Sequence, residues 1–394
     1  MKFPAIIFFG AFAVRLMAMA YFLPKFKSDV DLDFYHSIAR NLAAGNGYVA
    51  TGSSGRPLPD VGRAPVYPAF LAGLIAGCGD RLTILLAVQC AIGAAICALT
   101  VGLARRWLPE TAAAVAGAIV AIDPNSIVRC ADLRSDTLFS FLIVLIVTLL
   151  TRRELWCWGL AGVVCSTAIL CRPIATWMWF VVVAVALVQR VRRINLALFL
   201  AAVMPLVGAW TARNAALTGH WFVSTASHIN LAHNWIVGAE ARRVGLEAAE
   251  RTVTRWYGDL EFFDNRLTFE RSLSAVRNDA WKLLRTEPLF VAGQALRGWA
   301  SVLFGPGARG LNNSLRAPKP AARWWPVLYA VALAALVFLA GRGALTRKRD
   351  AAWLWGLALY FVVLVGGPGA GSRFRLPVTP LLAVLAVAGA KRAP

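Results

Sequence analysis

Lys25-Phe26-Lys27-Ser28-Asp29-Val30-Asp31-Leu32-Asp33-Phe34-Tyr35 follows an apolar run from Phe3 to Leu23 and leads into Ile38-Ala39-Arg40-Asn41-Leu42. Three alternating acids at the mouth of a hydrophobic span are unfavourable at a bilayer face unless something uses them, so they mark a site on a membrane protein. The turn Gly45-Asn46-Gly47-Tyr48 and the block Arg63-Ala64-Pro65-Val66-Tyr67-Pro68 complete this first polar stretch.

Outward from it, apolar runs recur along almost all of the 394 residues, of which 59% are hydrophobic. Mean hydropathy is +0.62. The fold class this predicts is all-α, a polytopic membrane protein of about ten transmembrane helices. The spans fall near 4–24, 82–104, 111–124, 135–151, 156–171, 174–189, 195–212, 324–341, 352–367 and 376–390. No Ala-x-Ala cleavage site follows the first run, so it reads as a span and not a signal peptide. Three regions result: 1–212, with the outer loop 25–68; a polar insertion, 213–323, mostly helical; and a C-terminal membrane region, 324–394.

Charge orients the bundle. Lys2, Arg105-Arg106, Arg152-Arg153, Arg190, Arg192-Arg193, Arg342 to Arg349 and Lys391-Arg392 fall on one side, 14 basic residues against three acids. That excess marks the cytoplasmic side. The other side also carries cations, among them Arg129, Arg134, Arg213, Arg373 and Arg375, which runs against the rule but suits an anionic substrate. The net charge of +21 does not indicate nucleic acid: Glu240 to Glu287, the most water-soluble stretch, holds nine basic and nine acidic residues. Membrane lipids or a phosphorylated lipid are the expected partners. The seven cysteines lie mostly inside apolar runs without a Cys-x-x-Cys pair, as packing residues.

In the insertion, Leu246, Val253, Trp256 and Leu260 have helical spacing, and Pro288 to Phe304 is apolar enough to span but is expected to lie along the outer surface. The helix after the acids should bury Phe34, Ile38 and Leu42, leaving His36 solvated at the interface.

Each polar group admits a functional and a plainer reading. Asp29, Asp31 and Asp33 either cap the helix that begins near Phe34 or do chemistry. An EF-hand is excluded, because its sixth and twelfth positions would be Phe34 and Arg40. Arg63 either grips a lipid phosphate or snorkels to headgroups. Asp136, in Asp132-Leu-Arg-Ser-Asp136, is a helix cap or a wall of the same cavity, where it holds substrate or a divalent cation. Arg172-Pro173, Arg213-Asn214, Asn230, His233, Asn234 and Arg373-Phe374-Arg375 place cations and amides at the outer ends of spans. No Gly-rich phosphate loop, zinc spacing, Ser-His-Asp order or haem motif is present.

The order of these blocks resembles the GT-C membrane glycosyltransferases that use polyprenyl-phosphate sugars: glycosyltransferase family 39, the protein O-mannosyltransferases, and the aminoarabinose transferases. Asp31-x-x-x-Tyr35 with Gly47-Tyr48, Arg63-Ala-Pro-Val-Tyr67-Pro68, Ser135-Asp136, Arg213-Asn214 with Asn230-Leu231, and Arg373-Phe-Arg-Leu-Pro377 carry the likeness. It implies a polyprenyl-phosphate sugar donor, a glycan, lipid or protein acceptor, and a large loop over a periplasmic site in a bacterial inner membrane. It also implies a first-loop acid as general base, by position Asp31, with Asp29 and Asp33 as neighbouring candidates. Tyr35, Arg63, Tyr67, Asp136, Arg213, Asn230, His233, Arg373 and Arg375 are the expected substrate-binding residues. The rivals are a transporter or flippase for a lipid-linked sugar and a non-catalytic binding partner. A flippase would carry several deep charges, whereas Arg15 is almost alone within a span.

Overall fold

A computed structural model describes residues 2–24, 34–51, 56–152, 154–258, 260–307, 319–347, 349 and 351–390. Its helices are α1 (Lys2–Phe22), α2 (Tyr35–Ala43), α3 (Val66–Cys78), α4 (Leu82–Ala104), α5 (Glu110–Ala121), α6 (Pro124–Arg129), α7 (Asp136–Leu150) and α8 (Leu155–Ile169). Then come α9 (Met178–Val188), α10 (Arg193–Thr218), α11 (Ala226–Asn230), a π-helical turn Leu231–Ile236, α12 (Val237–Val244), α13 (Leu246–Tyr257), α14 (Arg266–Thr286) and α15 (Pro288–Phe304). The chain closes with α16 (Lys319–Thr346), α17 (Ala352–Val365) and α18 (Thr379–Ala390). One antiparallel ribbon, β1 (Val49–Thr51) with β2 (Pro57–Pro59), pairs Val49 with Pro59 and Thr51 with Pro57.

Every predicted span coincides with a helix. Four are long and apolar enough to cross a membrane singly: α1, α4, α10 and Trp324–Thr346 within α16. The other six, α5, α7, α8, α9, α17 and α18, are shorter apolar helices of a multi-pass membrane protein. Van der Waals contact between close backbones has to hold such helices together, because lipid is as apolar as they are. Gly162 of α8 faces α10 so closely that a Cβ there would stand 2.4 Å from the Phe199 carbonyl oxygen. Gly343 of α16 and Gly389 of α18 meet in the same way, with Leu385 and Leu339 carbonyls at 2.0 and 2.1 Å from their would-be Cβ atoms.

Two ends of the bundle follow. At one, Gln189 Nε2 donates to the Arg349 carbonyl at 2.9 Å and Arg106 to the Thr151 carbonyl, which gathers the loops after α4, α7, α9 and α16. At the other, the Val66 N–H donates to the Leu170 carbonyl at 2.9 Å and Asn125 Nδ2 to the Ser372 carbonyl at 2.5 Å. The helix α3, absent from the predicted spans, stays at this second end. Asp80, just past it, holds His36 and Arg40 of α2 at 2.6 and 2.5 Å. His36 is therefore paired instead of simply solvated.

The insertion has its own apolar core, in which Ala249, Val253, Tyr257, Phe269 and Val276 pack with Val61 of the first loop. Leu246 and Trp256, expected on the buried stripe, are 61% and 54% exposed. Gly245 and Gly258, at φ +83° and +64°, bound α13, whose buried face runs i, i+4, i+8 through Ala249, Val253 and Tyr257, with Leu246 and Trp256 off that line. The helix α15 is tied to the second end at both termini. Glu287 before it pairs with Arg242 of α12, and Arg375 holds the carbonyls of Val302 and Gly305.

Candidate functional site

The run holding Asp29, Asp31 and Asp33 lies outside the described residues. What receives it is described. Phe34 is the N-cap of α2 in a left-handed conformation, φ +56°, and offers no side-chain acceptor. A left-handed, β-unbranched aromatic is uncommon and strained. Packing accounts for it: the Phe34 ring stands edge-on to Phe262 at 5.6 Å, and the Arg63 guanidinium lies over it at 4.8 Å.

Arg63 is the joint between the first loop and the insertion. It is 8% exposed and reaches Asp60 Oδ2 and Glu261 Oε2, each at 2.8 Å, while its N–H donates to Asp60 Oδ1 at 2.7 Å. Around it, the Val61 and Gly62 N–H groups donate to the Glu261 carbonyl at 3.0 and 2.9 Å, and Asp60 bridges to Phe262. Gly62 eases this close approach, since a Cβ there would stand 3.0 Å from Glu261 Cα. Asp60 is fully buried. Burial pushes its carboxyl up to about 6, against the pull of Arg63 and with a smaller push from Glu261. Arg213 adds a second tie, donating to the Asp60 carbonyl at 2.9 Å while stacked at 4.8 Å on Trp210.

Next to this joint lies the charge cluster. Tyr35 Oη is 3.4 Å from Ser135 Oγ, and its ring is edge-on to Tyr67 at 5.0 Å. Ser135 precedes Asp136, the first residue of α7 and 3% exposed. Asp136 pairs with Arg172, and Arg373 Nε approaches it to 3.9 Å. One turn before, Asp132 pairs with Arg129 and Arg134 at 3.0 and 2.9 Å. Four guanidiniums thus face two carboxylates, a surplus of positive charge in a partly desolvated place. Arg172 and Arg373 also lie over the Phe374 ring, at 5.4 and 5.1 Å, which fixes their planes. Asp136 is therefore no simple cap: its carboxylate is committed to two cations, and a metal ion there would compete with both. Among the described residues, no three His, Cys, Asp or Glu side chains form a metal-ligand group.

The fold does not bring all the candidates together. Tyr67 is fully buried, its hydroxyl donating to Gln89 Oε1 at 2.7 Å, and Gln89 in turn holds the Asp132 carbonyl at 2.5 Å. Arg375 is 0% exposed and serves the α15 carbonyls and Tyr329, whose hydroxyl reaches Asp123. Asn230, the last residue of α11, and His233, on the π-helical turn, are exposed, and Asn234 Nδ2 of that turn donates to Asn230 Oδ1 at 2.9 Å. That turn lies on the glycine-rich loop 366–371: a Cβ at Gly369 would meet Asn234 at 2.5 Å, and one at Gly367 would meet Trp235 at 2.7 Å. Sequence reasoning missed Asp60 and Glu261, which nothing local marks. Arg172 shows in sequence only as a cation between two spans; its pairing with Asp136 needs two loops that the fold joins.

No protein-family model matches the chain, and no curated protein matches it. Solved structures do. Archaeal oligosaccharyltransferase AglB from Archaeoglobus fulgidus, in complex with an inhibitory peptide and a dolichol-phosphate, is 13% identical with a TM-score of 0.54, over 98% of this chain and 50% of that one. Its apo form gives the same identity and TM-score over 97% and 50%. ArnT from Cupriavidus metallidurans, bound to undecaprenyl phosphate, is 15% identical over 98% and 77%, with a TM-score of 0.44. The chain spans about half the length of the oligosaccharyltransferase it matches. The likeness to the oligosaccharyltransferase is one of fold, a polytopic, nearly all-helical membrane architecture as expected from the sequence.

Proposed function

We propose that this chain, built on the GT-C fold, moves a sugar from a polyprenyl-phosphate donor to an acceptor at the face of a bacterial inner membrane, on the periplasmic side. The observation that carries this reading is the contact of Tyr35 with Ser135. Ser135 precedes Asp136, whose carboxylate sits among arginines, and Tyr35 follows Asp33 by two residues in the sequence.

An ionised first-loop acid, Asp31 by position, takes the proton of the acceptor hydroxyl as its oxygen bonds to the anomeric carbon. The bond from that carbon to the lipid phosphate breaks on the opposite face, so configuration inverts. The phosphate leaves as an anion and needs no acid to protonate it. Arg172 and Arg373, with Arg129 and Arg134 behind them, stabilise the charge it gains. Arg63 and Arg213 then act at one remove, locking the insertion over the site. Arg375, buried on backbone carbonyls, is left a positioning role.

Arg15 weighs against a flippase. It does not line a path: it donates to the Ala121 and Val120 carbonyls, each at 3.3 Å, and to Ser126 Oγ at 2.7 Å, closing the end of α5.

The test is release of free polyprenyl phosphate by purified protein from a panel of polyprenyl-phosphate sugars with membrane-extract acceptors. Loss in Asp31→Asn but not in Asp29→Asn or Asp33→Asn supports Asp31 as base. Loss in one of the others moves the base, and donor binding without release from any donor argues for a binding partner or transporter.

A further inference from the structure

A cavity of about 840 Å³ lies at the end of the bundle away from Asp136, walled by Arg106, Arg152, Arg190, Arg192 and Arg349 with Asn195 in its lining. These arginines come from four different loops. Among the described residues none of the five forms an ion pair; Glu110 pairs with the neighbouring Arg105, and Glu154 acts on Arg106 only from a distance. Burial, then repulsion from Arg152, hold the Arg106 guanidinium below its ordinary value, against a smaller pull from Glu154.

All five side chains are exposed, so their charge taken alone would suit a solvated loop face that orients the protein. Here it converges on a shaped floor. Trp158 and Trp353 are each 2% exposed and stand edge to face at 5.8 Å, Trp353 Nε1 donates to Gln189 Oε1 at 3.0 Å, and Asn195 is 3% exposed. Two further features face the same space. The 26-residue α10 opens at Arg192 without a side-chain cap, adding the partial positive charge of its first turn. Arg190 sits at φ +54°, a left-handed position just past α9 that glycine adopts without strain and arginine does not.

We infer that this cavity is a second anion site that binds a phosphate-bearing group, distinct from the proposed sugar-transfer site. Guanidiniums pair with phosphate oxygens in planar, bidentate fashion, which is the contact this cavity offers. The volume is of small-ligand size, with room for a diphosphate or a phospholipid headgroup. The phosphate belongs either to an anionic lipid of that leaflet or to a soluble compound.

The experiment is thermal unfolding of the full chain in non-ionic detergent, titrated separately with pyrophosphate, dioctanoyl phosphatidylglycerol and dioctanoyl phosphatidylcholine. Wild type is compared with Arg190→Gly, with Arg190→Gly/Arg192→Gln, and with Arg255→Gln, an exposed arginine of α13. Arg190→Gly suits the backbone at that position, so it removes charge without opposing the fold. The expected result is a saturable rise in melting temperature of wild type and Arg255→Gln with an anionic ligand. The double variant then requires at least tenfold more ligand, and Arg190→Gly falls between. A response to phosphatidylglycerol alone assigns the site to a lipid headgroup, and one to pyrophosphate alone to a soluble phosphate; both together assign it to phosphate as such. Equal responses to phosphatidylcholine, no response to either anion, or identical titrations in wild type and Arg190→Gly would overturn the inference.

Discussion

Glu261 meets Arg63 at 2.8 Å and so fastens the large insertion to the first loop, with Asp60 completing the pair from the other side. Because Asp60 is wholly buried, removing its cation leaves a carboxylate with no solvent and only the residue 63 backbone N–H as donor. Breaking a buried pair on one side costs about 3–5 kcal/mol. Arg63→Ala is therefore expected to lower the melting temperature sharply, whereas Glu261→Gln, whose side chain is one-third exposed, shifts it only slightly. Thermal unfolding of both variants beside wild type is the check. An Arg63→Ala protein as stable as wild type but inactive would instead make Arg63 a direct contact of the phosphate.

Asp60 also sets a pH dependence. Its carboxyl titrates near 6 in the folded chain and near 3.8 when unfolded, so between those values the folded state holds the extra proton. Stability from this group is greatest below the unfolded value and declines as pH rises toward about 6, then stays level. Measured as melting temperature, wild type should gain on Asp60→Asn as pH falls from 7 to 5. A difference that is flat, or that shrinks on acidification, contradicts the raised value.

How far the sequence reveals all this depends on range. All ten apolar runs became helices, because period and length are local. The burial of Ile38 in α2 was equally legible. The stripe Leu246, Val253, Trp256, Leu260 was half legible: Val253 and Leu260 are buried, but the line that meets the core inside α13 is Ala249, Val253, Tyr257 and leaves Leu246 and Trp256 outside. Site residues divide in the same way. Asp136 and Arg373 stand beside spans and can be picked out, but their partner Arg172 belongs to another loop. Asp60 and Glu261 carry no local signal; only the pairing of the first loop with the insertion gives them meaning. Arg375 is instructive in reverse. It lies two residues from Arg373 in a single basic motif, yet the short 3-10 turn Ser372–Arg375 sends them to different surroundings.

Glycine contacts give a paired prediction. In α3, Gly73 and Gly77 have the small-xxx-small spacing of a helix interface, yet nothing lies within 4 Å of a Cβ built on either. In α16, a Cβ on Gly343 would stand 2.0 Å from the Leu385 carbonyl oxygen. Gly343→Ala must force α16 and α18 apart, at about 1–3 kcal/mol. Gly73→Ala should leave stability unchanged or raise it slightly through helix propensity. Melting temperatures of the two alanine variants decide it, and equal values would mean that α16 and α18 do not pack through Gly343.

The neighbouring arginines of the last loop separate catalysis from architecture. Arg373 is 28% exposed in its side chain, points at Asp136 from 3.9 Å and lies over Phe374, so it is held but reachable. Arg375 is buried and donates to the Val302 and Gly305 carbonyls at 2.8 and 3.0 Å, which ties down the end of α15. Removing a preorganised donor from developing negative charge slows turnover about 10²–10³-fold. Arg373→Gln is thus expected to lose turnover on that scale with an unchanged melting temperature. Arg375→Gln leaves buried carbonyls without their donor, at about 1–3 kcal/mol, and should lower the melting temperature first and activity only as a consequence. Polyprenyl-phosphate release assayed well below either melting temperature distinguishes the two. If Arg375→Gln is as stable as wild type and Arg373→Gln fully active, the phosphate is bound elsewhere than beside Asp136.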